Sequence, residues 1–197
     1  MKNENTKAAL LVIDMQRGFL DPASPLFIEG APATVDACAR AIALCREKDV
    51  SVIFVTRRYA ADGSDVELAR REAWEMGGKP LSPGCDPAVD ASMPAVFGST
   101  PGDYHIVKPR YSAFFATPLD LILRRLEIGR VILTGTTTPN CIRATCFDGL
   151  SLDYDVTVLS DCTSSRTEEI QEANLRDMAA VGARIQTLQE FRQSLAE

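Results

Sequence analysis

The chain has 197 residues, 46% apolar and 24% charged, with a formal net charge of -6. This length suits one domain, spanning 1–197, with a full hydrophobic core. The acidic balance argues against nucleic acid or an anionic membrane as a partner, and no apolar run nears the roughly 20 residues that span a bilayer.

The opening residues Met1 to Lys7 are polar and lack the apolar core of a signal peptide, which predicts a cytoplasmic protein. Ala8 to Ile13 is a continuous apolar run of strand length, as expected for a strand buried on both faces of a parallel sheet. It stops at Asp14, followed by Met15-Gln16-Arg17-Gly18-Phe19. Residues 21–31 read as loop. Pro32 to Lys48 reads as a helix, with Val35, Cys38, Ile42 and Cys45 at helical spacing. Val50 to Val55 is a second strand, ending at Thr56-Arg57-Arg58-Tyr59.

Residues 60–103 are the least regular. Asp65 to Glu75 suggests a short helix carrying Trp74, and Gly77 to Gly102 is rich in Gly, Pro and Ser. Such a long excursion is commonly functional or a partner surface. Tyr104 to Val107 is a short third strand, ending at Lys108-Pro109-Arg110-Tyr111. Thr117 to Leu126 is a helix and Val131 to Thr134 a fourth strand. Pro139 to Leu152 is the next helix, Tyr154 to Leu159 a fifth strand. A helix over Thr167 to Val181 ends at Gly182, Ala183 to Thr187 is a sixth strand, and Leu188 to Glu197 closes the chain as a helix. Six apolar strands alternating with helices predict an α/β fold: a three-layer, doubly wound parallel sheet of Rossmann-like topology. A nucleotide-binding module has little support, because no G-x-G-x-x-G or P-loop is present.

The six cysteines at 38, 45, 85, 141, 146 and 162 have no C-x-x-C spacing, and His105 is the single histidine. They read as free thiols, with Cys146 and Cys162 buried, and neither a zinc site nor a cofactor is expected. On one helix, Cys141 and Cys146 would stand about 7.5 Å apart, beyond the disulfide range of roughly 4.4–6.8 Å. His105, inside the third strand, reads as a packing residue.

The stretch Val131-Ile-Leu-Thr-Gly135-Thr-Thr-Thr-Pro139-Asn-Cys141-Ile-Arg143-Ala-Thr145 reads as strand, tight turn and helix. Thr138 suits the N-cap and Pro139 the first helical position. Cys141 then falls in the first turn, where the helix dipole favours a thiolate. A buried structural cysteine is the ordinary alternative. Asp14, Lys108 and Cys141 each follow a different predicted strand. In a parallel sheet those ends lie on one edge, where ligands bind. An acid, a base and a thiol meeting there suit nucleophilic catalysis. Singly, each has an everyday reading: a turn cap, a surface charge, a core thiol.

These residues resemble the isochorismatase-like cysteine hydrolase superfamily. The resemblance rests on Leu11-Val-Ile-Asp14-Met-Gln16, Val107-Lys108-Pro-Arg-Tyr-Ser-Ala-Phe114 and Gly135-Thr-Thr-Thr-Pro-Asn-Cys141-Ile-Arg-Ala-Thr145. It implies an Asp-Lys-Cys triad, with Asp14 as general base, Lys108 as electrostatic partner and Cys141 as nucleophile. It also implies a cis peptide at Thr136–Thr137 and an oxyanion hole from the amides of Thr137 and Cys141. The reaction implied is hydrolysis of a C–N bond through a thioester, with a small amide and water as partners, in a homo-oligomer (dimer or tetramer).

Nicotinamide-hydrolysing members resemble one another in a metal site of one Asp and two His beyond the second strand. A single histidine cannot supply it, so no metal is expected and nicotinamide is disfavoured. Members acting on isochorismate can lack the cysteine, so its presence favours acyl chemistry. The turn around Cys141 looks closer to the N-carbamoylsarcosine amidase, maleamate amidase and biuret hydrolase branch. Arg57, Arg58 and Arg110 follow strand ends and are candidates for binding a substrate carboxylate. Phe19, Tyr111, Phe114 and Trp74 are candidate pocket walls, Gln16 a candidate polar contact, and Arg143 a subunit or salt-bridge residue. An isochorismatase-type enzyme and a non-catalytic member with Cys141 as redox sensor are the alternatives.

Overall fold

The computed structural model describes residues 7–195. Its centre is a six-stranded sheet in the order β3-β2-β1-β4-β5-β6. The strands are β1 (Lys7–Ile13), β2 (Ser51–Arg57), β3 (Tyr104–Lys108), β4 (Ile128–Thr136), β5 (Asp155–Ser164) and β6 (Arg184–Gln186). Every neighbouring pair is parallel. The doubly wound α/β fold expected from the alternating strands and helices is therefore the observed one.

Alternation along β1 sorts the two helical layers. Ala9, Leu11 and Ile13 pack with Leu119 and Leu123 of α4 (Leu119–Arg125), Cys146 of α5 (Arg143–Ser151) and Met178 of α6 (Glu168–Ala180). Leu10 and Val12 face the other layer, against Cys38 and Ile42 of α2 (Val35–Glu47) and Phe191 of α7 (Leu188–Ser194). The first turn of α7 is fastened by a capping box between Thr187 and Glu190. No described helix is long and apolar enough to cross a membrane.

The chain winds outward from β1 to β3, then returns to place β4 against β1. The carboxyl ends of β1 and β4 thus flank the crevice where strand order reverses, the ligand position of open α/β sheets.

Several boundaries differ from those expected. A single helical turn, α1 (Arg17–Leu20), follows β1; Pro32–Thr34 is a tight turn leading into α2, and the segment carrying Trp74 is helical only from Arg71 to Met76 (α3). Strand β5 runs past Ser160-Asp161 to Ser164: pairing with β4 steps from Leu133↔Val158 to Gly135↔Thr163, so extra residues of β5 loop out before pairing resumes. Of the terminal helix, residues 196 and 197 lie outside the described part, as do residues 1–6.

His105 is solvent-exposed rather than packed inside the sheet. It lies on edge strand β3, bonded to Ser99 at 2.9 Å and stacked on Phe54.

Candidate active site

Strand β1 ends at Asp14 in the left-handed region (φ 52), a conformation that Asp tolerates better than most residues. Its N–H donates to the Val55 carbonyl at 2.8 Å, which fixes the turn against β2. Lys108 is the last residue of β3, and its register partner is Arg57. Both Asp14 and Lys108 are fully buried, with Lys108 Nζ 2.8 Å from Asp14 Oδ2. The same ammonium donates to Cys141 Sγ at 3.4 Å and to the Arg110 carbonyl at 3.0 Å. An ammonium has three protons, so each has a partner. The structure therefore brings the three strand-end residues into one buried cluster.

Gly135 lets the end of the fourth strand run close against β1. Its φ is 110, and a Cβ would stand 2.0 Å from the Ile13 carbonyl oxygen. Gly135→Ala meets backbone on β1 and an unsuitable φ together. It is expected to cost about 3 kcal/mol or more, read as a lower urea midpoint at unchanged m-value.

The Thr136–Thr137 peptide is cis. The chain then makes one wide turn, Ile142 N–H donating to Thr137 C=O at 3.3 Å, before α5 begins at Arg143. This corrects the expected cap. Thr138 does not cap a helix; its hydroxyl donates to the Ser164 carbonyl at 3.0 Å. Ser164 in turn donates from Oγ to Thr136 Oγ1 at 3.1 Å, so the end of β5 props the turn from behind. On the other side, Thr145 Oγ1 donates to the Cys141 carbonyl at 2.7 Å and accepts from Ala113 N–H at 2.9 Å. It thereby ties the Cys141 turn to the loop after Lys108. The sequence reading assigned no role to Ser164 or Thr145, whose partners lie on other elements.

The thiolate expected from a helix N-terminus is also corrected. Burial pushes the Cys141 thiol up to about 11; the adjacent Asp14 carboxylate adds to this, while Lys108 and Arg57 oppose it. The resting group is a neutral thiol beside an ion pair. Burial raises Cys45 and Cys146 to about 12 as well. These three folded values lie above the ordinary 9.0. Between the two values the unfolded chain binds fewer protons than the folded one, so stability falls as pH rises. We expect this contribution to be full below about pH 9 and to drain away towards pH 11–12. Urea midpoints at graded pH, under a thiol reductant, check the sign. All six cysteines are free.

A cavity of about 260 Å³ opens over Cys141. Phe19, Tyr111, Thr137 and Asn140 contribute to its wall, and Arg57, Arg70 and Arg166 give it three guanidinium groups and no carboxylate. Arg57 is buried, pairs with Glu67 at 3.1 Å and lies over the Tyr111 ring at 5.0 Å. Desolvation disfavours its charge, but Cys141, Asp14, Tyr59 and Glu67 outweigh that and hold it above the ordinary arginine range.

Other candidates are placed differently. Gln16 does not line the cavity over Cys141: it is fully buried, accepting from Arg57 N–H at 2.7 Å and donating to the carbonyls of Arg57 and Ala91. Its amide is consumed in tying β2 to the 90s loop. Arg110 does not line the cavity either; its Nη1 donates to the carbonyls of Asp65 and Pro109. Arg58 is exposed and lines a separate cleft with Cys85. Phe114 stacks on Tyr154 in the core, whereas Arg143 makes an expected salt bridge, to Asp177 of α6, and also bonds Asn174. Residues 77–102 contribute nothing to the wall over Cys141. Arg70 and Arg166 were missed because neither directly follows a predicted strand end, where candidate ligands were sought.

The chain belongs to the Isochorismatase domain family, which it matches over residues 8–190. It is 38% identical over 190 residues to a probable inactive nicotinamidase of Arabidopsis thaliana, covering 95% of this chain and 96% of that one. It is 31% identical over 194 residues to the maleamate amidohydrolase of Pseudomonas putida, covering 96% and 87%. Its fold matches an isochorismatase family protein of Desulfovibrio vulgaris with a TM-score of 0.90 and 38% identity, covering 98% of this chain and 100% of that one.

Proposed function

We propose that this protein is a cysteine hydrolase that cleaves the C–N bond of a small amide or ureide. The observation that carries the reading is the buried cluster in which Lys108 Nζ lies 2.8 Å from Asp14 and 3.4 Å from Cys141 Sγ. Asp14 and Lys108 together are neutral. Moving the thiol proton onto Asp14 transfers the negative charge to sulfur without changing the cluster's net charge, so a buried site can make its nucleophile at the moment of attack. Lys108 touches both groups and stabilises whichever is charged.

In this mechanism Cys141 Sγ attacks the carbonyl carbon, and the amide N–H groups of Thr137 and Cys141 hold the developing oxyanion. The C–N bond breaks as the nitrogen takes the proton from Asp14. Water, losing a proton to Asp14, then attacks the thioester carbonyl; the C–S bond breaks, the acid leaves, and Asp14 returns the proton to Cys141 Sγ. Neither a metal nor an organic cofactor has a part in these steps. The maleamate amidohydrolase relative supports this choice of bond.

The test is an ammonia-release screen over ureides, N-carbamoyl amino acids, maleamate, nicotinamide and pyrazinamide. Release from the ureide, carbamoyl or maleamate members, abolished by Cys141→Ala, is the expected result. Rapid turnover of nicotinamide would sink the argument from the missing histidines. Reversible oxidation of Cys141 without turnover of any amide would instead favour a redox sensor.

A further inference from the structure

A second cavity adjoins the one over Cys141. Its volume is about 180 Å³, and it shares Phe19, Pro25, Leu26, Arg57 and Arg70 with the first. Beyond these shared walls it is closed by Tyr59, Val66, Ala73, Trp74 and Pro80. The chamber is held firmly. Trp74 Nε1 donates to the Pro80 carbonyl at 2.9 Å, and the Tyr59 and Trp74 rings meet edge to face at 6.1 Å. Tyr59, Val66, Trp74 and Leu81 form a small core of their own, separate from the two layers on the sheet.

Arg57 stands where the two cavities meet. One of its nitrogens, Nη1, is engaged with Tyr59 and Glu67. Its Nε and Nη2 have no hydrogen-bond partner, although the side chain is only 3% exposed. Those two nitrogens are themselves occluded, so what the first cavity offers an anion is the joint positive charge of Arg57, Arg70 and Arg166. An apolar space of roughly 150 Å³ accepts a benzene ring, so the annex is of the size for one.

We propose that the substrate spans both cavities: a scissile amide or ureide over Cys141, a carboxylate among Arg57, Arg70 and Arg166, and an apolar group of phenyl size in the annex against Trp74. The proposal rests on the hydrolase reading above for its scissile bond, but the annex is testable without turnover. It predicts N-carbamoyl amino acids with bulky apolar side chains as the preferred substrate chemistry.

Trp74 is the only tryptophan in the chain, so its emission reports occupancy of the annex. In the Cys141→Ala protein, N-carbamoylphenylalanine should change that emission saturably, and N-carbamoylglycine should not. In the native enzyme, kcat/KM for the phenylalanine derivative should exceed that for the glycine derivative at least about tenfold. Ala73 is exposed on α3, where a larger side chain can be carried without disturbing the core. Ala73→Phe should fill the annex, remove the emission change and bring the ratio near one. Flat Trp74 emission overturns the proposal, as does equal turnover when both compounds are hydrolysed. A saturable emission change with no ammonia from any compound sustains the annex and overturns the hydrolase reading.

Discussion

Replacing Cys141 by alanine is expected to lower kcat/KM for C–N hydrolysis by about 10⁴-fold or more, with the fold intact. The side chain is small and the Asp14–Lys108 pair does not depend on it for charge balance. Its loss should therefore move the urea midpoint little. Cys141→Ser should be nearly as inactive, because a hydroxyl is far harder to deprotonate than a thiol that already stands at about 11. Acid quenching during turnover, followed by peptide mass spectrometry, should find the acyl group on Cys141 and on no other cysteine. Retention of a tenth of the native rate by Cys141→Ala, or an acyl group elsewhere, would overturn the nucleophile assignment.

The second large effect is on stability as well as rate. Lys108→Met keeps an unbranched side chain of similar length but leaves the fully buried Asp14 carboxylate without its cation. Removing one partner of a buried pair costs about 3–5 kcal/mol, because the other charge stays behind. We expect a loss of that size in urea unfolding, together with near-complete loss of turnover. Adding Asp14→Asn should recover most of the stability and none of the activity. This double-mutant cycle separates the charge from the chemistry. If the double variant is no more stable than Lys108→Met alone, the cost arises from packing around Lys108 and the pairing argument fails.

The sheet was legible because its strands are apolar runs cut off by polar residues, as at Ile13-Asp14 and Val55-Thr56. The same cut-off points marked Asp14 and Lys108, since strand ends on one edge must lie together. What escaped the sequence depends on partners from distant segments. Thr138 looked like a cap because its neighbours have cap chemistry, yet its hydroxyl accepts from no helical amide and instead donates to the Ser164 carbonyl on another strand. Gln16 and Arg110 looked like ligands because polar side chains near a site usually are. The Gln16 amide is taken up by the carbonyls of residues 57 and 91, and one Arg110 nitrogen by those of residues 65 and 109. The charge state of Cys141 was misread for a related reason. Its place after a turn was visible, whereas its depth of burial belongs to the assembled layers.

Lys108 is carried by β3, which pairs with β2 alone and is the sheet's outer strand on that side. Detaching it breaks a single ladder of five register pairs, Ile53↔Tyr104 to Arg57↔Lys108. Asp14 and Cys141, by contrast, follow the two central strands, β1 and β4, whose melting dissolves the domain. Under the proposed mechanism, catalytic competence is thus tied to a margin of the molecule, whose opening is expected to need less free energy than global unfolding. Amide hydrogens of residues 104–108 should exchange through partial openings, while those of residues 9–13 wait for the whole chain to unfold. In a denaturant series, turnover should vanish while the central strands are still protected.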